Sequence, residues 1–191
     1  YTDPGEAVLI QQPVYYPFSE VIKTNNRRLV NNRLVEKEGH YEIDFEDFEN
    51  KIVKEDVKAF ILCSPHNPVG RVWTEAELKR IGDICLKHNV IVISDEIHSD
   101  FVFEGKHKVF SNVDKSFAEI SIVCTSPSKS FNLAGLQISN IFIKNRELRQ
   151  KFKAQLDSVG YSEVSLPGIT ACKAAYTYGE EWLNGLLSYI R

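Results

Sequence analysis

A chain of 191 residues can bury one sizeable core, and 43% hydrophobic against 26% charged residues is the balance of an ordinary globular protein. A formal net charge of −3 gives no electrostatic reason to expect nucleic acid or an anionic membrane as a partner. No apolar run approaches the ~20 residues of a membrane span, and Tyr1 to Gly5 lacks the charged segment and apolar core of a secretory signal.

Both ends read as cut. Asp3-Pro4-Gly5 is a turn feeding straight into Ala7-Val8-Leu9-Ile10, and Glu180 to Arg191 reads as a helix still running at the last residue. The expectation is a piece of a longer protein. Cys63, Cys85, Cys124 and Cys172 are far apart and form no C-x-x-C pair; Cys63 and Cys124 lie in apolar runs and are expected to be packed thiols, which fits a reducing, cytoplasmic setting.

In chain order, Val8 to Pro13 reads as a buried strand closed by proline, followed by Tyr15, Tyr16 and Phe18 and a helical stretch through Val21 and Ile22. Leu29 to Val35 alternates in part, as an edge strand does. Phe45, Phe48 and Ile52 recur at helical spacing from Asp44 onward. Val57 to Cys63 is the next buried strand and runs into Ser64-Pro65-His66-Asn67-Pro68-Val69-Gly70, a rigid non-helical loop. Thr74-x-x-Glu77 is a capping box for a helix to about His88. Val90 to Ser94 is a strand giving way to Asp95-Glu96-Ile97-His98-Ser99-Asp100, and 104–118 reads as a polar loop with short mixed structure. Ile120 to Thr125 and Ile138 to Ile143 are further strands. Helices are expected from Asn145 to about Asp157, over 166–178 and over 180–191.

Strands alternating with helices predict a three-layer α/β/α sandwich around a mostly parallel sheet. In such folds ligands bind outside the carboxyl ends of the strands. Three polar clusters fall at three such ends, centred on Asn67, Asp95 and Lys129. Each residue alone has an ordinary explanation: a turn asparagine, a capping aspartate, a solvated lysine. A desolvated lysine is different, because its amine can be nucleophilic and condense with an aldehyde. Glu96, His98 and Asp100 would share one face if the segment were extended, which leaves a metal site as a weaker alternative.

The pattern Ser126-x-x-Lys129, followed by Asn132-Leu133-x-Gly135, resembles the segment around the cofactor lysine of class I/II aminotransferases, the fold type I superfamily that uses pyridoxal 5'-phosphate (PLP). Lys-Ser-Phe-Asn-Leu-Ala-Gly-Leu-Gln and Asp-Glu-Ile-His are most similar to its C–S lyase branch, which includes cystathionine β-lyase. The resemblance implies PLP as cofactor, Lys129 as the lysine that holds it and Ser126 as a phosphate partner. It implies Asp95 beside the pyridine nitrogen, Asn67 on the phenolic oxygen, and Tyr15, with Tyr16 as its rival, stacked on the ring. His98 stands where many aminotransferases have a tyrosine near that oxygen. Gln137 replaces the usual phosphate-binding arginine eight residues after the lysine, a mark of the lyase branch. No role falls to His66 or His107.

The function implied by this resemblance is a PLP-dependent β-elimination on a small amino-acid substrate, either cystathionine or another cysteine S-conjugate, in a homodimeric enzyme. Aminotransferase is the alternative, and a PLP-sensing domain of a transcriptional regulator is a third reading. A nucleotide-binding domain ranks last because no G-x-G-x-x-G follows a strand. Residues 1–178 would be a partial PLP-binding large domain, and 179–191 would begin the helix leading to a small domain. Such a fragment is expected to be inactive alone.

Overall fold

In a computed structural model of the protein, residues 1–161 and 163–191 are described. Six strands form one sheet in the order β2-β1-β5-β6-β7-β8. They are β1 (Ala7–Ile10), β2 (Arg28–Asn31), β5 (Val57–Cys63), β6 (Ile91–Asp95), β7 (Ser121–Thr125) and β8 (Asn140–Phe142). Every neighbouring pair is parallel except β7 and β8.

Helices cover both faces, as the near-continuous apolar strands require. On one face Leu9, Phe60, Leu62 and Val92 pack with Phe48 and Ile52 of α2 (Phe45–Lys54) and Leu78, Ile81 and Cys85 of α3 (Glu75–Lys87). The other face carries two smaller clusters. Val8, Ile10 and Ala59 meet Ile22 of α1 (Pro17–Thr24), and Ile122 meets Leu148 of α6 (Arg146–Ser158). The three-layer sandwich is therefore present. Thr74 and Glu77 form the capping box at the start of α3, and the Asp44 and Asn145 side chains cap α2 and α6.

The expected strand over Leu29 to Val35 is broken in two. After β2 the chain leaves the sheet and forms a hairpin of β3 (Val35–Lys37) and β4 (His40–Glu42). Past β2 the Asn32 and Leu34 N–H groups still bond the Ile10 and Gln12 carbonyls at 3.0 and 2.9 Å, and the buried Asn32 side chain accepts from Gln11 Nε2 at 2.9 Å and donates to the Asp44 carbonyl and Asp47 Oδ2. Those side-chain bonds tie the stretch before the hairpin to β1 and to the start of α2. The polar loop 104–118 likewise hides part of the core. It contains α4 (Phe110–Val113) and a 3₁₀ turn (Phe117–Glu119), whose two phenylalanines stack 5.3 Å apart, fully buried.

The connection from β7 to β8 makes no crossover. It reverses the chain through the one-turn helix α5 (Pro127–Ser130) and a 3₁₀ turn (Ala134–Leu136), so β8 runs antiparallel. Lys129 lies within this reversal. Helices α7 (Leu166–Tyr178) and α8 (Glu180–Ile190) follow, meeting at Gly179. No described helix is long and apolar enough to cross a membrane.

Candidate active site

Sheet order makes β5, β6 and β7 consecutive neighbours, so the polar clusters that follow them share one rim of the molecule. Asp95 ends β6, paired with Cys63 on one side and Cys124 on the other. Asn67 lies four residues past the end of β5, and Lys129 four past the end of β7. Residues separated by more than sixty positions are thus brought together by strand pairing alone. The switch in strand order falls between β1 and β5, where ligands gather in open α/β sheets.

Asp95 is mostly shielded from water. Its Oδ1 accepts the Ile97 N–H at 3.1 Å, while Oδ2 has no donor among the described residues. Burial is the main influence on the carboxyl and raises its pKa, with Glu96 adding to the rise; the Ile97 hydrogen bond and the charges of His98 and Lys129 oppose it. The half-buried His98 ring shows the complementary effect. Burial lowers its pKa and the Lys129 charge lowers it further, against the pull of Asp95.

Lys129 itself is exposed, whereas Pro127 and Ser130 on the same turn are buried. The turn α5 buries its other side, and the charge of the Lys129 amine acts on both Asp95 and His98. Around that amine the backbone is closely tied. Phe131 N–H bonds Pro127 at 2.9 Å, and Leu133 N–H bonds Ser128 at 3.0 Å. The Phe131 ring packs 5.9 Å from both Tyr176 and Trp182.

Ser126 caps α5 by accepting the Ser128 N–H at 3.0 Å, and its own hydroxyl donates to the Ile138 carbonyl at 2.6 Å. Its single hydrogen is thus already committed, and Ser128 Oγ, 2.6 Å away, is left to donate to it. Gln137, beside Ile138, is exposed and left-handed at φ 49°. Tyr15 is 44% exposed, edge-on to Phe18, and Tyr16 lines a separate cleft of about 1130 Å³ with Arg33 and Tyr41. The structure brings Asn67, Asp95, His98 and Lys129 to one rim and places Tyr15 on the neighbouring strand end.

Asn67 and His98 line a cleft of about 350 Å³ whose other walls include Pro65, Pro68, Phe101 and Phe103. The Asn67 N–H bonds Cys63 Sγ at 3.4 Å, while its side-chain amide has no partner among the described residues. Two histidines that no motif assigns a role hold this region. His66, buried edge-on to Trp73, contacts the Pro13 carbonyl at 3.0 Å and so ties the Asn67 loop to the Tyr15 loop. His107 contacts buried Glu96 at 2.7 Å. No spacing rule signals such pairs; only the fold brings them together.

The metal alternative loses its premise. Residues 97–100 form a turn, and Glu96 points inward to Ser94, His107 and Phe110 rather than alongside His98 and Asp100. Among the described residues, no group of three metal-ligating side chains is present.

The sequence pattern of the family described as aminotransferase class I and II matches residues 1–184. The chain belongs to that family. It is 47% identical over 191 residues to cystathionine beta-lyase PatB of Bacillus subtilis, covering all of this chain and 49% of the relative. Its fold superposes at TM-score 0.95 on cystalysin from Treponema denticola, 42% identical, whose crystal structure contains pyridoxal 5'-phosphate; 98% of this chain and 48% of cystalysin are covered. A PLP-bound putative aminotransferase from Clostridium difficile is equally similar in fold, at TM-score 0.95 and 45% identity, covering 98% and 49% of the two chains. The chain spans about half the length of the curated relatives it matches.

The donors and acceptors at the rim suit the cofactor that this family uses. Asp95 Oδ2 can accept from a protonated pyridine nitrogen, the Asn67 amide can donate to a phenolic oxygen, and Lys129 offers a free amine.

Proposed function

We propose that the whole protein is a PLP-dependent C–S β-lyase, acting on cystathionine or a related cysteine S-conjugate, and that this chain supplies part of its cofactor-binding domain. One observation carries the reading. Asn67, Asp95, His98 and Lys129 meet at adjacent strand ends with hydrogen-bonding capacity that the described residues leave unused. Polar groups converging at the carboxyl ends of adjacent parallel strands, where open α/β sheets bind ligands, support a bound partner.

Bound PLP would supply the electron sink for a carbanion at the substrate's α-carbon. Lys129 would hold the cofactor and, once displaced by the substrate amine, remove the α-proton as general base. Asp95 would keep the ring nitrogen protonated. Asn67 would donate to the phenolic oxygen, with His98 beside it, and Tyr15 would lie against the ring face. Ser126 and Gln137 would face the phosphate. Gln137 brings hydrogen bonds without charge, and the committed Ser126 hydroxyl would have to leave Ile138 to donate. Overall, one water enters, the β-carbon–sulfur bond breaks, and thiol, pyruvate and ammonia leave.

The lyase reading is supported by Gln137, by the Asp95–His98 segment and by the likeness to cystathionine beta-lyase PatB. The likeness to the Clostridium difficile putative aminotransferase supports the second reading, an aminotransferase. Both share the rim residues. Assaying the full-length protein with cystathionine, and separately with an amino acid plus 2-oxoglutarate, distinguishes them. Thiol and pyruvate are expected from the first assay; their absence sinks the lyase. Borohydride treatment of the same protein is expected to leave a phosphopyridoxyl group on Lys129.

The expected assembly is a cytoplasmic homodimer acting on a small amino acid. Residues 1–178 would belong to the large domain, and α8 would lead toward a small domain. The 191-residue chain alone is expected to hold PLP weakly and to turn nothing over; a borohydride-reducible visible chromophore on it would contradict the first of these.

A further inference from the structure

The segment after Asp95 is fastened at both of its ends, and neither fastening belongs to the rim residues themselves. At its base, the fully buried Glu96 carboxylate accepts from Ser94 Oγ at 2.9 Å and Phe110 N–H at 3.0 Å, and contacts His107 Nε2 at 2.7 Å. The Glu96 N–H reaches across to the Cys124 carbonyl of β7 at 2.9 Å. Five residues after Asp95, the chain makes a second connection to the β7 side: the Ser130 hydroxyl donates to Asp100 Oδ2. Ser130 is completely buried and directly follows Lys129 on a helix of one turn. A neutral hydroxyl donating to a carboxylate makes a charge-assisted bond, stronger than its neutral counterpart.

One turn of helix has little rigidity of its own, because nucleation is unfavourable and α5 has only its flanking contacts to hold it. Three of those contacts are at its margins: Ser126 to Ile138, Leu133 to Ser128, and Phe131 against Tyr176 and Trp182. The Ser130–Asp100 bond is the side-chain contact beside the lysine, and it leads to the segment that carries His98.

We infer that Asp100 and Ser130 form a latch that positions the Lys129 amine relative to the Asp95–His98 side of the rim. Asp100 acts through Ser130 and is a positioning residue, not a catalytic one. The inference rests on the reading of Lys129 as the cofactor lysine.

The test uses the cofactor-stripped full-length protein, with PLP added and trapped by borohydride at intervals; peptide mass spectrometry then gives the capture rate at Lys129 and at exposed lysines such as Lys153. Ser130→Ala and Asp100→Ala are each expected to slow capture at Lys129 about tenfold, the order of one lost charge-assisted bond, with capture at Lys153 unchanged. The double variant is expected to be no slower than either single one, since both remove the same interaction. Ser130→Thr, which keeps the hydroxyl, is expected to stay within about twofold of the unaltered protein.

Rates that fall independently, so that the double variant is about a hundredfold slower, overturn the latch. So does an unchanged rate in either alanine variant, or a threonine variant as slow as the alanine one. Should Ser130→Ala fail to fold, Asp100→Ala, at an exposed position, still decides: an unchanged capture rate at Lys129 overturns the latch. Absence of an adduct on Lys129 in the unaltered protein overturns the cofactor-lysine reading and the latch together, whereas a normal adduct with unaffected variants overturns the latch alone.

Discussion

The Ser126 hydroxyl lies 2.6 Å from the Ile138 carbonyl and closes the loop that carries Lys129, joining the start of the β7–β8 reversal to its end. The same oxygen caps α5 through the Ser128 N–H. Replacing Ser126 by alanine removes both bonds and strands a buried carbonyl. The expected loss in the cofactor-free protein is about 1–2 kcal/mol by urea unfolding. Ser128→Ala removes only the 2.6 Å bond between the two serine hydroxyls and is expected to cost less than about 1 kcal/mol. Equal costs for the two would show that the Ser126–Ile138 bond contributes nothing.

Asp95 is held at a stability cost. Burial raises its pKa above the ordinary 3.8, so the folded state binds the proton more tightly than the unfolded chain. Its contribution is favourable below that ordinary value and is lost as pH rises through the raised one, so at neutral pH the buried carboxyl opposes folding relative to a neutral side chain. Asp95→Asn is therefore expected to raise the melting temperature of the cofactor-free protein at neutral pH. In the full-length enzyme the same change is expected to lower turnover about 10²–10³-fold, the scale of a lost electrostatic partner. A variant both less stable and fully active would refute the assignment.

His66 predicts a different dependence on pH. Burial is the main reason its pKa lies below 6.5, with Arg71 adding to the effect and the hydrogen bond to Pro13 opposing it. The unfolded chain then binds more protons as pH falls below that value, and stability declines toward the lowered folded pKa. The slope for this one group is at most about 1.4 kcal/mol per pH unit. His66→Gln is expected to flatten the decline below about pH 6.5 in urea titrations, relative to the unaltered protein. An unchanged slope would mean that other groups govern it.

The sheet and the rim were legible because they depend on local signals. Continuous apolar strands, the Thr74–Glu77 box and the Asn145 cap are written in consecutive residues, and the polar clusters after three of the strands mark the carboxyl rim. What escaped depends on contacts between distant residues. Asn32 is buried by its bonds to Gln11 and Asp47, and Glu96 finds His107 only after the intervening loop folds back. Periodicity treats such side chains as exposed polar positions. The committed Ser126 hydroxyl and the exposed Lys129 belong to the same class, since a motif gives residue types but not their surroundings.

The loop 104–118 offers a direct check on packing that was hidden from the sequence. Gly82, in the middle of α3, faces the Phe117 ring so closely that an added Cβ would lie 2.2 Å from its Cε2 and Cζ atoms. Phe117 cannot easily yield, because it is fully buried and stacked on Phe110 at an interplanar angle of 12°. A glycine-to-alanine change inside a helix ordinarily gains about 1 kcal/mol. Here overpacking costs about 1–3 kcal/mol, so the steric effect should win. Gly82→Ala is expected to be destabilising by urea unfolding, and Phe117→Leu in the same chain should recover part of the loss by opening space. A stabilised Gly82→Ala protein would mean that Phe117 does not pack against α3.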